Sequence, residues 1–157
     1  AALGAAARAL GALPEAERAA ERGVGSAVCF ETPSHYELTV SGRKLAGSAQ
    51  ARRHGGLLQH GSLPLNGDLG RIVDALVFAS EAERDEARAR VEARTVTLSA
   101  AAGRSVSRED AAAALTDAVE RTFGVRLEPG QLTGSEADWA VRLEAEVYGA
   151  AEWTARR

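Results

Sequence analysis

Tyr36-Glu37-Leu38-Thr39-Val40-Ser41-Gly42-Arg43-Lys44-Leu45-Ala46 is the stretch from which the fold is read. Apolar and polar residues alternate on either side of Ser41-Gly42, the pattern of two half-buried strands joined by a two-residue turn. A turn of that length pairs Leu38 with Leu45 and Thr39 with Lys44. Lys44 is therefore expected to face away from the Leu38 and Leu45 side. Gly47-Ser48-Ala49 follows, three small residues that suit either a bulge or the close approach of a ligand to bare backbone. Gly55-Gly56 marks another turn, and Leu57 to Leu63 reads as a third strand of an antiparallel sheet.

Upstream, Leu3, Ala6, Ala7, Leu10 and Leu13 recur at helical spacing until Pro14 stops them. Glu15 to Ser26 is polar and glycine-punctuated and reads as a loop or frayed helix leading to Ala27-Val28-Cys29-Phe30, with Cys29 at the loop edge. Downstream of Pro64 the periodicity turns helical. Leu69, Ile72, Val73 and Leu76 form an apolar stripe, and Glu81 to Arg94 is charged enough for a solvent-facing helix. Ser107 and Asp110 form a capping pair for a helix over 111–123 that Gly124 ends. Val125 to Glu128 suits a short strand, and Ser135 opens a last helix through Tyr148 with Trp139, Leu143 and Val147 on one face. Strands first and helices after predict an α+β fold, an antiparallel or mixed sheet packed with helices. The predicted organisation is one domain over 1–157, sheet-forming in 27–65 and helical in 66–157.

Composition narrows the chemistry. The 157 residues are 45% hydrophobic and 26% charged, as in a folded domain, and the net charge of −3 gives no support for a nucleic-acid partner. No apolar run approaches the roughly 20 residues of a membrane span, so no membrane partner is expected. A lone cysteine, Cys29, forms no internal disulfide and no four-cysteine zinc site, which points to a reducing compartment. Among 19 Lys and Arg residues lysine occurs only at Lys44. Arginine replaces lysine where a solvated charge suffices, but not where a compact, tunable ammonium is needed, so the single lysine is either a leftover surface residue or one with a task. Methionine is absent.

A cysteine attacks only as a thiolate, and its ordinary pKa of about 8.5 has to be lowered by a nearby cation or by backbone donors. Lys44 is a candidate for that cation, since the loop carrying Cys29 can fold back toward the strand after Lys44; a buried small hydrophobe is the plainer reading of Cys29. Backbone N–H groups of Gly47-Ser48-Ala49 are candidate donors to an oxyanion, a β-bulge being the alternative. His60, beside Gly61, is a candidate to bind substrate or move a proton, or a hydrogen-bonded structural histidine; His35 and His54 carry less. Dispersed histidines and one cysteine predict no metal site, and no phosphate loop, nucleophile elbow or dinucleotide fingerprint is present.

The string Cys29-Phe-Glu-Thr-Pro-Ser-His-Tyr-Glu-Leu-Thr-Val-Ser-Gly-Arg-Lys-Leu-Ala-Gly-Ser-Ala-Gln50, continued by Leu58-Gln59-His60-Gly61-Ser62-Leu63, resembles the lipoate and biotin protein ligase superfamily, in particular its cysteine-dependent octanoyltransferases. The likeness is specific over 28–65 and looser through the helices, with Glu152-Trp153 also similar to that branch's terminus. The resemblance implies that Cys29 carries the acyl group as a thioester and that Lys44 is the lysine at the acyl site. It also implies that Gly47, Ser48, Ala49 and Gln50 with His60 and Gly61 line the substrate. The fold implied is biotin/lipoate protein ligase-like. The Arg-Arg-x-x-Gly-Gly type segment of such enzymes has no counterpart before Cys29, so an N-terminal part of the domain is expected to be missing, and weak or no activity from this polypeptide alone.

The activity implied is transfer of octanoyl from octanoyl-acyl carrier protein to a lysine of a lipoyl-domain or glycine-cleavage H-type acceptor, in the cytoplasm and with no cofactor. An ATP-dependent lipoate-protein ligase, which would require ATP and Mg, is the alternative within the superfamily. A non-catalytic remnant that binds such partners is the alternative outside catalysis.

Overall fold

The structure, a computed structural model, describes residues 1–17, 37–53 and 55–155. They form two compact units, Ala1–Val125 and Arg126–Arg157. The first unit is α+β, as predicted. Its strands β1 (Glu15–Glu17), β2 (Glu37–Val40), β3 (Arg43–Arg53) and β4 (Gly56–Ser62) make one antiparallel sheet in that order. The sheet thus begins at Glu15, inside a segment expected to be loop or frayed helix. Three residues carry too little alternation to announce a strand, and β1 exists because β2 offers it a paired edge.

The β2–β3 turn is the two-residue turn predicted. Ser41 and Gly42 both take positive φ, 51° and 71°, as the tight turns that match strand twist require. Beyond it the register departs from simple arithmetic: Thr39 pairs with Lys44, but Leu38 pairs with Ala46. Leu45 is the extra residue of a β-bulge.

Helix α1 (Ala2–Ala9) stops earlier than its apolar spacing suggested, because the chain turns at Gly11 with φ 99° before reaching Pro14. It packs on α4 (Arg108–Phe123). The main core gathers Ala7, Leu10, Ala12, Leu45, Val96, Leu98 and Val106. The stripe over Leu69–Ala75 is a 3-10 helix rather than an α-helix; the Asp68 carboxylate caps it by accepting the Gly70 N–H at 2.7 Å. Val73 from this turn meets Ala87 and Val91 of α2 (Glu81–Arg94) in a second small core. Arg88 ties the two elements, its guanidinium 2.8 Å from both Asp68 and Asp74. A short helix α3 (Leu98–Ala102), not foreseen, is capped by Thr97 and closed by Gly103 at φ 65°. For α4 the Ser107–Asp110 capping box and the Gly124 stop are as predicted.

The expected strand at Val125–Glu128 is irregular chain, with no ladder partner among the described residues. The last helix is α5 (Gly134–Leu143), capped by a Thr133–Glu136 box, and it widens into a π-helical turn at Glu144–Tyr148. After Gly149 comes α6 (Ala151–Thr154), whose Trp153 sits edge-on to Tyr148 at 4.9 Å. A Cβ at Gly149 would stand 2.6 Å from the Glu144 carbonyl oxygen, so the tight exit from the wide turn depends on glycine.

Two outcomes are expected. Leu45→Ala, at a side chain with no exposed surface, is expected to cost about 2–5 kcal/mol in urea denaturation. The hydrogen bond from Arg88, then that from the Gly70 N–H, lowers the Asp68 pKa below its ordinary 3.8. Stability from Asp68 is therefore complete above 3.8 and lost as pH falls through the lower folded-state value. Asp68→Asn is expected to shallow the fall of Tm on the acid side of that point.

Candidate active site

Lys44 is held from both edges of its strand. On one side it faces Thr39 of β2; on the other it bridges to Thr95, and its carbonyl accepts the Val96 N–H at 3.0 Å. The side chain is only 6% exposed, between the buried neighbours Leu45 and Ala46 in sequence.

The bulge decides what shares its face. Residues directly opposite one another in an antiparallel pair lie on the same face, and successive residues of a strand on opposite faces. Lys44 goes with Thr39 and Ala46 with Leu38, so Lys44 and Ala46 lie on opposite faces, although two residues apart. From Ala46 onward the ordinary alternation puts Gly47 and Ala49 on the Lys44 face. Ala49 pairs with His60, which joins them there. Leu38 and Leu45 turn toward α1 and the core: a Leu38 methyl lies against Gly4, and Leu45 is enclosed.

Of the residues nominated from sequence, the structure brings six together on the β3–β4 ladder. Ser48 pairs with Gly61, Ala49 with His60, Gly47 with Ser62 and Gln50 with Gln59. Gly61 has to be glycine: a Cβ there would run into the Gly47 carbonyl oxygen and stand 3.1 Å from the Ser48 Cα. Gln50 lies on the face away from Lys44, its amide donating to Gln59 Oε1 and accepting from Arg52 Nε, each at 3.0 Å. Cys29, like His35 and His54, lies outside the described residues. Among the described residues no cluster of His, Cys, Asp and Glu is arranged to hold a metal ion, and no helix is long and apolar enough to cross a membrane.

Two polar groups in the Lys44 row were not singled out from sequence. The register Glu15–Thr39–Lys44 runs across three strands, which sets Glu15 two strands from Lys44, about 10 Å between backbones by strand spacing. Thr39 itself is 2% exposed, and its hydroxyl makes no hydrogen bond among the described residues. The two-residue turn already placed Thr39 opposite Lys44; Glu15 carried no signal, because its strand is defined only by pairing.

With this geometry in view, comparison with known proteins is decisive: the profile of the lipoyl protein ligase A/B catalytic domain matches residues 3–120. The chain belongs to that family. Octanoyltransferase LipM of Kyrpidia tusciae is 44% identical over 132 residues, 84% of this chain and 48% of the relative. That of Bacillus subtilis is 34% identical over 148 residues, 93% of this chain and 53% of the relative. The chain spans about half the length of the curated relatives it matches. Among solved structures, a bi-partite lipoate protein ligase of Thermoplasma acidophilum superposes with a TM-score of 0.78 at 21% identity, over 97% of this chain and 53% of that one. A lipoate-protein ligase A bound with ATP gives 0.72 at 20% identity, over 97% and 54%. These likenesses establish the lipoate ligase fold predicted from the Cys29–Gln50 and Leu58–Leu63 strings.

Gly61→Ala is expected to part β3 from β4 around Ser48, read as faster amide exchange along β4 and a loss of about 1–3 kcal/mol. Thr39→Val removes a buried hydroxyl that has no partner among the described residues and is expected to raise Tm; a lower Tm would mean that the hydroxyl is satisfied in solution.

Proposed function

We propose that the protein of which this chain forms part is an octanoyltransferase of lipoate assembly. It takes an octanoyl group from octanoyl-acyl carrier protein and passes it to a lysine of a lipoyl-domain or H-type acceptor, in the reducing cytoplasm. The burial of the chain's one lysine, on the face it shares with Gly47, Ala49 and His60, is the observation that carries this reading. Relatives named octanoyltransferase, at 33–44% identity, support the choice of reaction. For the acceptor, support comes from the Thermoplasma ligase, which is described with its E2 lipoyl domain as an archaeal lipoylation system.

In the first step the Cys29 thiolate attacks the octanoyl carbonyl carbon. A new C–S bond forms, and the bond to the carrier's sulfur breaks, its thiolate taking up the proton that Cys29 gave away. In the second step the acceptor lysine, as a neutral amine, attacks the acyl-cysteine; an amide forms and the Cys29 thiol is regenerated. One thioester replaces another, so no nucleotide or other cofactor is consumed. Lys44 lowers the Cys29 pKa and attracts the developing oxyanion, and backbone N–H groups near Ser48 and Ala49 serve as further donors. Thiolate formation makes the first step faster as pH rises through the Cys29 pKa.

Incubation with octanoyl-acyl carrier protein is expected to add one octanoyl mass to the intact protein, with or without ATP. Cys29→Ser is expected to remove that addition, and Lys44→Ala to slow it about 100-fold. An addition that requires ATP would favour the ligase reaction. An undiminished label on Cys29→Ser would dismiss the nucleophile.

A further inference from the structure

Charge is distributed unevenly along this chain. Between Leu38 and Gly67 there is no Asp or Glu, while four of the Lys and Arg residues lie there; all 22 acidic residues fall outside this stretch. Two of the four cations, Arg52 and Arg53, stand at the end of the β3–β4 ribbon. There they line an open groove of about 410 Å³ with Gly55, Gly56 and Leu57. Arg53 falls on the Lys44 face of the ribbon and Arg52 on the other, so the groove has a cation on each side.

On the helices several arginines are paired with acids. Arg84, Arg88, Arg90 and Arg121 each have a carboxylate within 4.0 Å. Neither Arg52 nor Arg53 has one among the described residues. Arg52 is instead steadied by neutral amides, through Gln50 and Gln59, which orient the guanidinium while leaving its charge uncompensated. Leu57, 57% exposed and paired with Arg52, supplies an apolar contact beside the charge. One oriented guanidinium and a second arginine beside it, neither paired with a carboxylate among the described residues, next to an exposed leucine, are the composition of a surface that captures an acidic protein.

We propose that this ribbon end docks the acidic surface of the carrier protein that delivers the acyl thioester, an inference that rests on the acyl-transfer reading. Distance favours the donor over the acceptor. Arg52 is five residues along β3 from Gly47, about 17 Å at strand rise. An acceptor lysine presents its amine on a four-carbon stem of roughly 6 Å, too short for a protein body seated at the groove to reach the Gly47–Ala49 backbone. A carrier protein presents its thioester on a pantetheine arm several times longer. The pattern also assigns a purpose to the missing acids: any carboxylate on the ribbon would pair with Arg52 or Arg53 and compete with the partner.

The test is binding of octanoyl-acyl carrier protein and, separately, of a lipoyl domain to the chain and to three variants. Arg52→Gln/Arg53→Gln is expected to weaken carrier binding at least about tenfold and to flatten its dependence on salt. Arg52→Lys/Arg53→Lys is expected to keep most of the affinity, and Arg104→Gln, an exposed arginine elsewhere, all of it. Lipoyl-domain affinity is expected to be the same in every variant. An unchanged carrier Kd in the Gln pair, no carrier binding by the unaltered chain, or an equal loss for the lipoyl domain would each overturn the proposal. Octanoylation of Cys29 from a small octanoyl thioester with no carrier is expected to be the same in the Gln pair and the unaltered chain. Failure of that reaction in the whole protein would refute acyl transfer, while the carrier Kd values would still decide the docking surface.

Discussion

The one-residue bulge at Leu45 sets the organisation of the first unit. A strand carries side chains to its two faces in strict alternation, and only an inserted residue can change the phase partway along. Without it, Lys44 would share a face with Ala46, Ser48 and Gln50, and Leu45 with Gly47 and Ala49. With it, Leu45 and Ala46 both serve the α1 side, and Lys44 comes to share the other face with Gly47, Ala49 and His60. The same insertion that completes the main core therefore assembles the polar face.

The two halves of β3 live in different surroundings as a result. From Lys44 to Ala46 the strand is enclosed, paired to β2 on one edge and strapped by Thr95 and Val96 on the other. From Ser48 to Arg53 it pairs, among the described residues, with β4 alone, and both strands are exposed. Backbone fixed by two neighbours is suited to holding a charged group in one place. A two-stranded ribbon is suited to meeting a large partner, because its surface is not already committed to a core. Placing Lys44 where one regime passes into the other couples positioning to access. The helices serve the first regime: α2 is fastened to the 3-10 turn through Arg88, and the chain leaving α2 supplies the Thr95–Val96 strap.

Electrostatics follows the same division. The arginines of α2 pair within the helix or against the preceding turn, as in Glu81–Arg84, Glu86–Arg90 and the Asp68–Arg88–Asp74 bridge. The ribbon keeps cations that nothing among the described residues neutralises. A chain whose net charge is negative thus carries a local positive end, which the total charge conceals.

Local signals determined a good deal of this. Turn chemistry at Ser41-Gly42, the Thr39–Lys44 pairing, the Ser107–Asp110 cap, the Gly124 stop and the charged helix at Glu81–Arg94 were legible because each depends on residues close together in the chain. The strings around Lys44 and His60 announced the family. Strand β1, the 3-10 turn and the short helix α3 were not legible, since three to seven residues carry too little periodicity and take their conformation from neighbours. The irregular chain at Val125–Glu128 shows the converse: apolar alternation makes no strand where no edge is offered. Only the tertiary structure decided the bulge. Whether Leu38 meets Leu45 or Ala46 depends on a core formed by residues about fifty positions later, Val96, Leu98 and Val106, which give the Leu45 side chain its place.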